Sequence, residues 1–142
     1  MSFRVGDQVE VVGNDGAFKY AFYTANVRSV MTEGFEVQYD TRMTADGEQK
    51  VEIVAAKQLR PIPDVIVADV KARDFVEVWM ADGWWRGAVI AVTESSAVVY
   101  FAYRTDGEHT FVFPKTQLRV HQKWHQDGDS TFWMYQKRLA GI

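Results

Sequence analysis

The sequence predicts an all-β protein built as two small, strongly bent antiparallel β-barrels packed in tandem. Three observations carry that expectation: a phrase written twice, a series of short alternating segments, and turn signals between them. The phrase is Asp7-Gln8-Val9-Glu10-Val11, and it returns as Asp74-Phe75-Val76-Glu77-Val78. An aromatic pair follows each copy, Phe22-Tyr23 and then Trp84-Trp85, and each copy closes on Leu-Arg, at Leu59-Arg60 and Leu118-Arg119. Ordered landmarks that recur together mark an internal repeat, which sets the size of the structural unit. Each repeat is roughly 60 residues, near the lower limit for a self-sufficient core, so two modules packed together are expected.

The elements follow in order. Val9 and Val11 alternate with Gln8 and Glu10. Along Phe22-Tyr23-Thr24-Ala25-Asn26-Val27, strand parity turns Tyr23, Ala25 and Val27 inward and Phe22, Thr24 and Asn26 outward. Phe35, Val37 and Tyr39 alternate with Glu36 and Gln38, and Val51 and Ile53 flank Glu52. The second repeat continues the habit with Val76, Val78 and Met80, then with Phe111 and Phe113. A period of two marks half-buried strands. Between them fall Asn14-Asp15-Gly16, Glu33-Gly34, Asp46-Gly47, Asp82-Gly83 and Asp106-Gly107, each with an acid before a Gly, as tight turns with positive φ prefer. About five strands per repeat with short turns imply a small, bent barrel.

No stretch has sustained helical periodicity, although residues 66–73 and 131–139 leave room for a turn or short helix. The expected boundaries are 1–62 for the first module, 68–128 for the second and 129–142 for a tail. Pro61 and Pro63 bracket Ile62 and stiffen the linker near residues 61–69. Phe132, Trp133 and Tyr135 of the tail are expected to pack back onto a barrel.

Composition narrows the function classes. The hydrophobic share of 47% and charged share of 25% are ordinary for a globular chain, but 14% aromatic with five Trp is high. Without cysteine, disulfides and thiolate metal sites are excluded and a reducing compartment is expected. No apolar run approaches bilayer length, so no membrane span is expected, and the N-terminus has no basic-then-apolar signal pattern. A net charge of −3, from 16 basic and 19 acidic residues without a basic run, argues against a nucleic-acid backbone binder and for a cationic partner. There is no nucleophile elbow and no Gly-rich phosphate loop. His121, His125 and Asp127 read as solvated loop residues and not as a metal site. A binding module is expected, not an enzyme, and no cofactor is implied.

The aromatics suggest what it binds. Phe22 points outward by parity, with Phe18 and Tyr20 in the turn before it. Tyr39 ends the third strand and shares parity with core-facing Val37; Asp40 follows it, and Asp46 and Glu48 lie in the next loop. In a five-stranded barrel the loops after strands one and three are neighbours, so these groups can converge. Aromatic walls beside a carboxylate suit a methylated ammonium, which ring quadrupoles hold by roughly 2 kcal/mol or more when desolvated. A carboxylate also accepts a hydrogen bond from a partly methylated amine. In the second repeat Trp84 aligns with Phe22, Trp85 with Tyr23 and Phe101 with Tyr39, but Arg86 and Arg104 stand nearby, so its pocket is expected to be degenerate or structural.

With these landmarks the chain resembles a tandem pair of plant Agenet domains, Tudor-like modules of the Royal family. The residues that carry the resemblance are Phe3-Arg4-Val5-Gly6-Asp7-Gln8-Val9-Glu10-Val11, Gly16-Ala17-Phe18, Ala21-Phe22-Tyr23-Thr24-Ala25-Asn26-Val27, Val37-Gln38-Tyr39 and Leu59-Arg60-Pro61. In the second copy they are Val76-Glu77-Val78, Asp82-Gly83-Trp84-Trp85-Arg86-Gly87 and Leu118-Arg119, followed by Trp124. The resemblance implies Tudor-like barrels, a nuclear location and a reader of methylated lysine in chromatin. Tandem Agenet modules of plant heterochromatin proteins take a dimethylated lysine of the histone three tail into an aromatic cage of the first module. Acidic groups near the module interface hold an unmodified lysine. Carried onto this chain, the cage falls on Phe18, Phe22 and Tyr39, with Asp40 or Asp46 as its anionic wall. Tyr20, Glu48, Trp84 and Tyr103 are candidates for further peptide contacts, and a monomer is expected. Two departures stand out: Phe22 replaces the usual Trp, a stronger ring for cations, and Arg73-Asp74 replaces the usual Gly-Asp opening. The alternatives are an RNA-binding module, whose aromatics stack on bases, and a protein-interaction module indifferent to methylation.

Overall fold

The computed structural model describes residues 3–14, 16–64, 69–104, 107–127 and 130–135. The first module runs β1 (Gln8–Val12), β2 (Ala21–Met31), β3 (Gly34–Met43), β4 (Gln49–Val54) and β5 (Leu59–Pro61). The second repeats the plan as β6 (Phe75–Met80), β7 (Gly83–Val92), β8 (Ser96–Tyr100), β9 (Thr110–Pro114) and β10 (Leu118–Val120). Short 3-10 turns occupy Gly16–Tyr20, Ala56–Gln58 and Lys115–Gln117. Pairing is antiparallel throughout, in the order β5-β1-β2-β3-β4 and, equivalently, β10-β6-β7-β8-β9. The five strands expected per repeat are present, and the Glu33-Gly34, Asp46-Gly47 and Asp82-Gly83 signals fall at turns between strands, Gly34 and Gly83 already opening β3 and β7. A register shift between Val27 and Ser29 bends β2, and one between Val89 and Ala91 bends β7. Inward alternation then supplies each core, with Val9, Val11, Val27 and Val37 in one and Val76, Val78, Val89 and Val99 in the other.

The modules join edge to edge. β2 pairs with β7, setting Ala21 opposite Trp85 and Phe22 opposite Trp84, so one sheet continues through both modules as β5-β1-β2-β7-β6-β10. Phe22 and Trp84 hold equivalent places in the two copies, so an approximate two-fold axis passes between them. The other repeat landmarks gather around it. Arg60 Nη2 donates to Glu10 Oε1 at 2.7 Å and to Glu77 Oε1 at 2.9 Å, while Arg119 Nη2 reaches Glu10 Oε1 at 2.8 Å and Glu77 Oε1 at 2.6 Å. The Arg60 guanidinium lies 3.4 Å from the Phe22 centroid, and that of Arg119 lies 4.1 Å from Trp84. All four charged side chains are buried. β1 and β6, which alternation marks as half-buried, are therefore covered on both faces, by the core on one side and by this ion cluster on the other.

His121 is part of the same cluster. It is buried, with Nδ1 2.7 Å from Glu77 Oε2, which corrects its reading as a solvated loop residue. Burial pushes the Glu77 carboxyl up, but the His121 hydrogen bond and the Arg60 and Arg119 charges outweigh it and hold the pKa down at about 2. After the second module, β11 (Gln122–Asp127) and β12 (Ser130–Tyr135) form a separate hairpin. Residues 131–135, where a turn or short helix was expected, are strand, and residues 136–142 lie outside the described residues. Of the other such segment, residues 66–68 lie outside them too, and within 69–73 residues 72–73 form the turn, with no helix.

Candidate functional site

An aromatic pocket forms where the first module meets the β6–β7 turn of the second. Phe18 enters it from the first 3-10 turn, which is pinned to Gly13: Gly13 N–H donates to Phe18 O at 3.0 Å, and a Cβ at Gly13 would fall 2.4 Å from Phe18 Cβ. Tyr23 of β2 and Tyr39 of β3 supply two more walls, edge to face at 6.4 Å. Trp85 of β7 closes the far side, 6.1 Å from Phe18 and 6.3 Å from Tyr23. The β6–β7 turn comes close because Ala81 and Asp82 both take positive φ, of 47° and 64°, as a tight hairpin turn requires. It is held there by Thr41 Oγ1, which donates to Asp82 O at 2.7 Å. Gly83 lies against the Tyr23 ring, where a Cβ would come within 2.8 Å.

The pocket already holds a cation from its own chain. The Arg42 guanidinium lies 4.8 Å from the Tyr23 centroid, 4.9 Å from Tyr39 and 5.5 Å from Phe18. Beneath it Tyr23 and Tyr39 are buried, whereas Phe18 remains exposed. Two acids supply negative charge. Tyr39 donates its hydroxyl to Glu52 Oε2 at 2.7 Å, and Asp82 is close enough to Tyr23 to affect its ionisation. Burial, then the Glu52 hydrogen bond and charge, raise the Tyr39 pKa against the opposing pull of Arg42. Burial also raises that of Tyr23, which Arg42 lowers and Asp82 raises in turn. Both rings are therefore neutral, electron-rich faces at physiological pH.

Of the expected cage, the structure brings Phe18 and Tyr39 together and sends the rest elsewhere. Phe22 points outward from its own barrel, as parity requires, but that direction is the module junction, where its ring supports Arg60. Asp40 faces away from Tyr39 and accepts from Gln8 Nε2 at 3.0 Å and Asn26 Nδ2 at 3.2 Å. Asp46 and Glu48 lie in the exposed β3–β4 turn. Tyr20 stacks on Tyr103 at 4.2 Å with parallel planes, and Trp84 carries Arg119. The walls of this pocket are Phe18, Tyr23 and Tyr39, with Trp85 beside them. Tyr23 escapes sequence reasoning because parity assigns it to the core, whose rim it forms. Arg42 escapes because the β3–β4 register shifts between Gln38 and Met43, so alternation cannot be counted across it.

The equivalent place in the second module is filled. Phe101, the counterpart of Tyr39, is fully buried and packs against Tyr103, Phe111 and Phe113. Tyr103 donates its hydroxyl to Arg86 O at 2.6 Å, and burial raises its pKa.

A pair of bent, five-stranded antiparallel modules with a cation-holding aromatic pocket defines a tandem Tudor-like binding module. Residues 6–64 match the Agenet domain family. The chain is 28% identical over 129 residues to "Protein AGENET DOMAIN (AGD)-CONTAINING P1" of Arabidopsis thaliana, an alignment covering 87% of this chain and 24% of that protein. It thus spans about a quarter of that relative's length. The crystal structure of Arabidopsis thaliana AGDP1 AGD34 matches it with a TM-score of 0.83 at 28% identity, over 94% of this chain and 90% of the other. The ADCP1 tandem Agenet domain 3-4 matches with a TM-score of 0.69 at 27% identity, over 85% and 82%. Residues 6–64 thus match the Agenet family, and the chain as a whole has the architecture of a tandem Agenet pair.

Proposed function

We propose that this chain is a non-enzymatic chromatin reader, nuclear and monomeric, that takes a methylated lysine of the histone three tail into the aromatic pocket of its first module. The observation that carries the reading is Arg42, whose guanidinium lies within 5.5 Å of three ring centroids, the distance at which ring quadrupoles attract a cation. A methylated ammonium asks for the same surroundings, and more strongly, because its methyl groups shed water. It enters by displacing Arg42, which makes no ion pair among the described residues to hold it in place. Phe18, Tyr23 and Tyr39 then wall the cation, with Trp85 at the edge. Glu52 and Asp82 take the anionic part first expected of Asp40 and Asp46. A carboxylate at the rim favours a dimethylated over a trimethylated lysine, because only the former keeps an N–H to donate. The interface acids Glu10 and Glu77 are engaged by arginines, so their part is structural.

Calorimetric titration with unmodified, mono-, di- and trimethylated histone three peptides tests this. The dimethylated peptide is expected to bind most tightly, and Tyr23→Ala to remove that preference. Equal affinity for unmodified and dimethylated peptides would overturn the reading.

A further inference from the structure

A second concavity, of about 670 Å³, opens at the module junction on the Phe22 side of β2, away from the aromatic pocket. Its charge is of one sign. Lys19 comes from the first 3-10 turn, Lys57 from the second, Arg86 from β7 and Lys123 from β11. No carboxylate side chain lines it among the described residues. The three lysines are exposed, and none of the four cations makes an ion pair among the described residues. The Arg60 charge at its floor is already matched by Glu10 and Glu77. Four cations without an ion pair among the described residues thus converge on one hollow in a chain whose net charge is −3. Trp124 forms an aromatic wall beside them, only partly buried, and Arg86 is steadied over the Tyr20 ring at 4.9 Å.

We propose that this junction groove binds a segment of single-stranded nucleic acid, with phosphates on Lys19, Lys57, Arg86 and Lys123 and a base against Trp124. Cations delivered from four separate elements around a hollow track a chain of phosphates better than they serve one point anion. An indole adds base stacking, which a single strand can use because its bases are free. A duplex keeps its bases stacked inside and meets only the rim. An acidic peptide would use the lysines but leave the indole idle. The volume falls within the roughly 300–1,000 Å³ of ordinary ligand pockets, enough for a nucleotide or two. The site lies across β2 from the methyl-lysine pocket, so it stands or falls independently of that reading.

The test is fluorescence anisotropy of the whole chain with short labelled single-stranded RNA, single-stranded DNA and duplex DNA, each over a range of salt, with polyglutamate as competitor. Single strands are expected to bind with Kd of about 10⁻⁴–10⁻⁶ M and a log–log salt slope of about −3, some 0.7 per phosphate contacted. Either sugar satisfies the proposal, and the two arms say which is preferred. Lys57→Ala and Lys123→Ala, both at exposed positions, should each flatten the slope by about 0.7 while leaving histone-peptide titrations unchanged. Trp124→Phe should keep most of the affinity that Trp124→Ala loses. Duplex binding as tight as single strand, polyglutamate displacing the strand at equal charge, or a slope untouched by the lysine variants would each overturn the proposal.

Discussion

Replacing Arg119 by Met probes the junction that the repeat builds. Arg119 is 3% exposed, and its Nη2 and Nε reach Glu10 Oε1 and Glu77 Oε1, both at 2.8 Å. Two buried carboxylates and two buried guanidinia balance. Without Arg119, both carboxylates must share Arg60, and one negative charge remains uncompensated out of water. Breaking a buried pair in this way costs about 3–5 kcal/mol, which for a chain of this size lowers Tm by about 10–20 °C. The control is the double variant Glu10→Gln/Arg119→Met, which restores charge balance and leaves Arg60, Glu77 and His121 in contact. It should cost less than the sum of the two single variants, with a coupling of about 1–3 kcal/mol. Urea unfolding followed by tryptophan fluorescence measures all three. A single-variant cost below about 1 kcal/mol, or strict additivity in the double, would refute the view that these four groups act as one unit.

Three further outcomes follow from the geometry. Glu77 has a pKa held down at about 2, against 4.5 when unfolded, so its stabilisation is complete above pH 4.5 and lost as pH falls from there towards 2. The loss is about 3 kcal/mol, and urea midpoints measured against pH should show it in the native chain and a flatter acid limb in Glu77→Gln. Arg42→Ala should bind a dimethylated histone peptide more tightly, by about 5- to 30-fold, since the incoming cation no longer displaces a resident one worth about 1–2 kcal/mol. Calorimetry on Phe22→Ala and Tyr23→Ala should separate two roles that sequence alone merges. Phe22→Ala should cost stability, about 3 kcal/mol, with affinity per folded molecule retained, whereas Tyr23→Ala should lose the preference for methylation.

The strands and turns were legible because alternation is local and was written twice, so each copy checked the other. What covers a strand's outer face is not local. Glu10 and Glu77 have the pattern of solvent-facing residues, and nothing near them in sequence says that the opposite copy's arginine will cover them. The same blindness hid the cationic groove, because Lys19, Lys57, Arg86 and Lys123 lie far apart along the chain and never form a run. The residues expected to form a cage also separate. Parity correctly sent Phe22 outward, but outward meant the junction, and the register shift in β3 brought Arg42 over Tyr39 where simple alternation would not.

The symmetry of the junction explains why the two pockets differ. An approximate two-fold axis requires matching chemistry only at residues that meet across it, because each contact is then made twice by the same surface. Glu10 with Glu77, Arg60 with Arg119, and Phe22 with Trp84 are those residues, and they are the landmarks by which the repeat is recognised. Residues away from the axis carry no such demand. Tyr39 can therefore keep a hydroxyl on Glu52 in a pocket filled by Arg42, while its counterpart Phe101 is sealed among Tyr103, Phe111 and Phe113. Trp85 shows the two copies dividing labour most directly: as the counterpart of Tyr23 it belongs to the second module, yet it packs against the first module's core as well as its own. The second barrel thus fills the equivalent place with its own aromatics and contributes a wall to its neighbour's pocket. A variant that shortens this wall, Trp85→Ala, should weaken methyl-peptide binding from a residue outside the first module. Retained binding in a folded Trp85→Ala chain would place the whole recognition surface within the first barrel and refute the shared pocket.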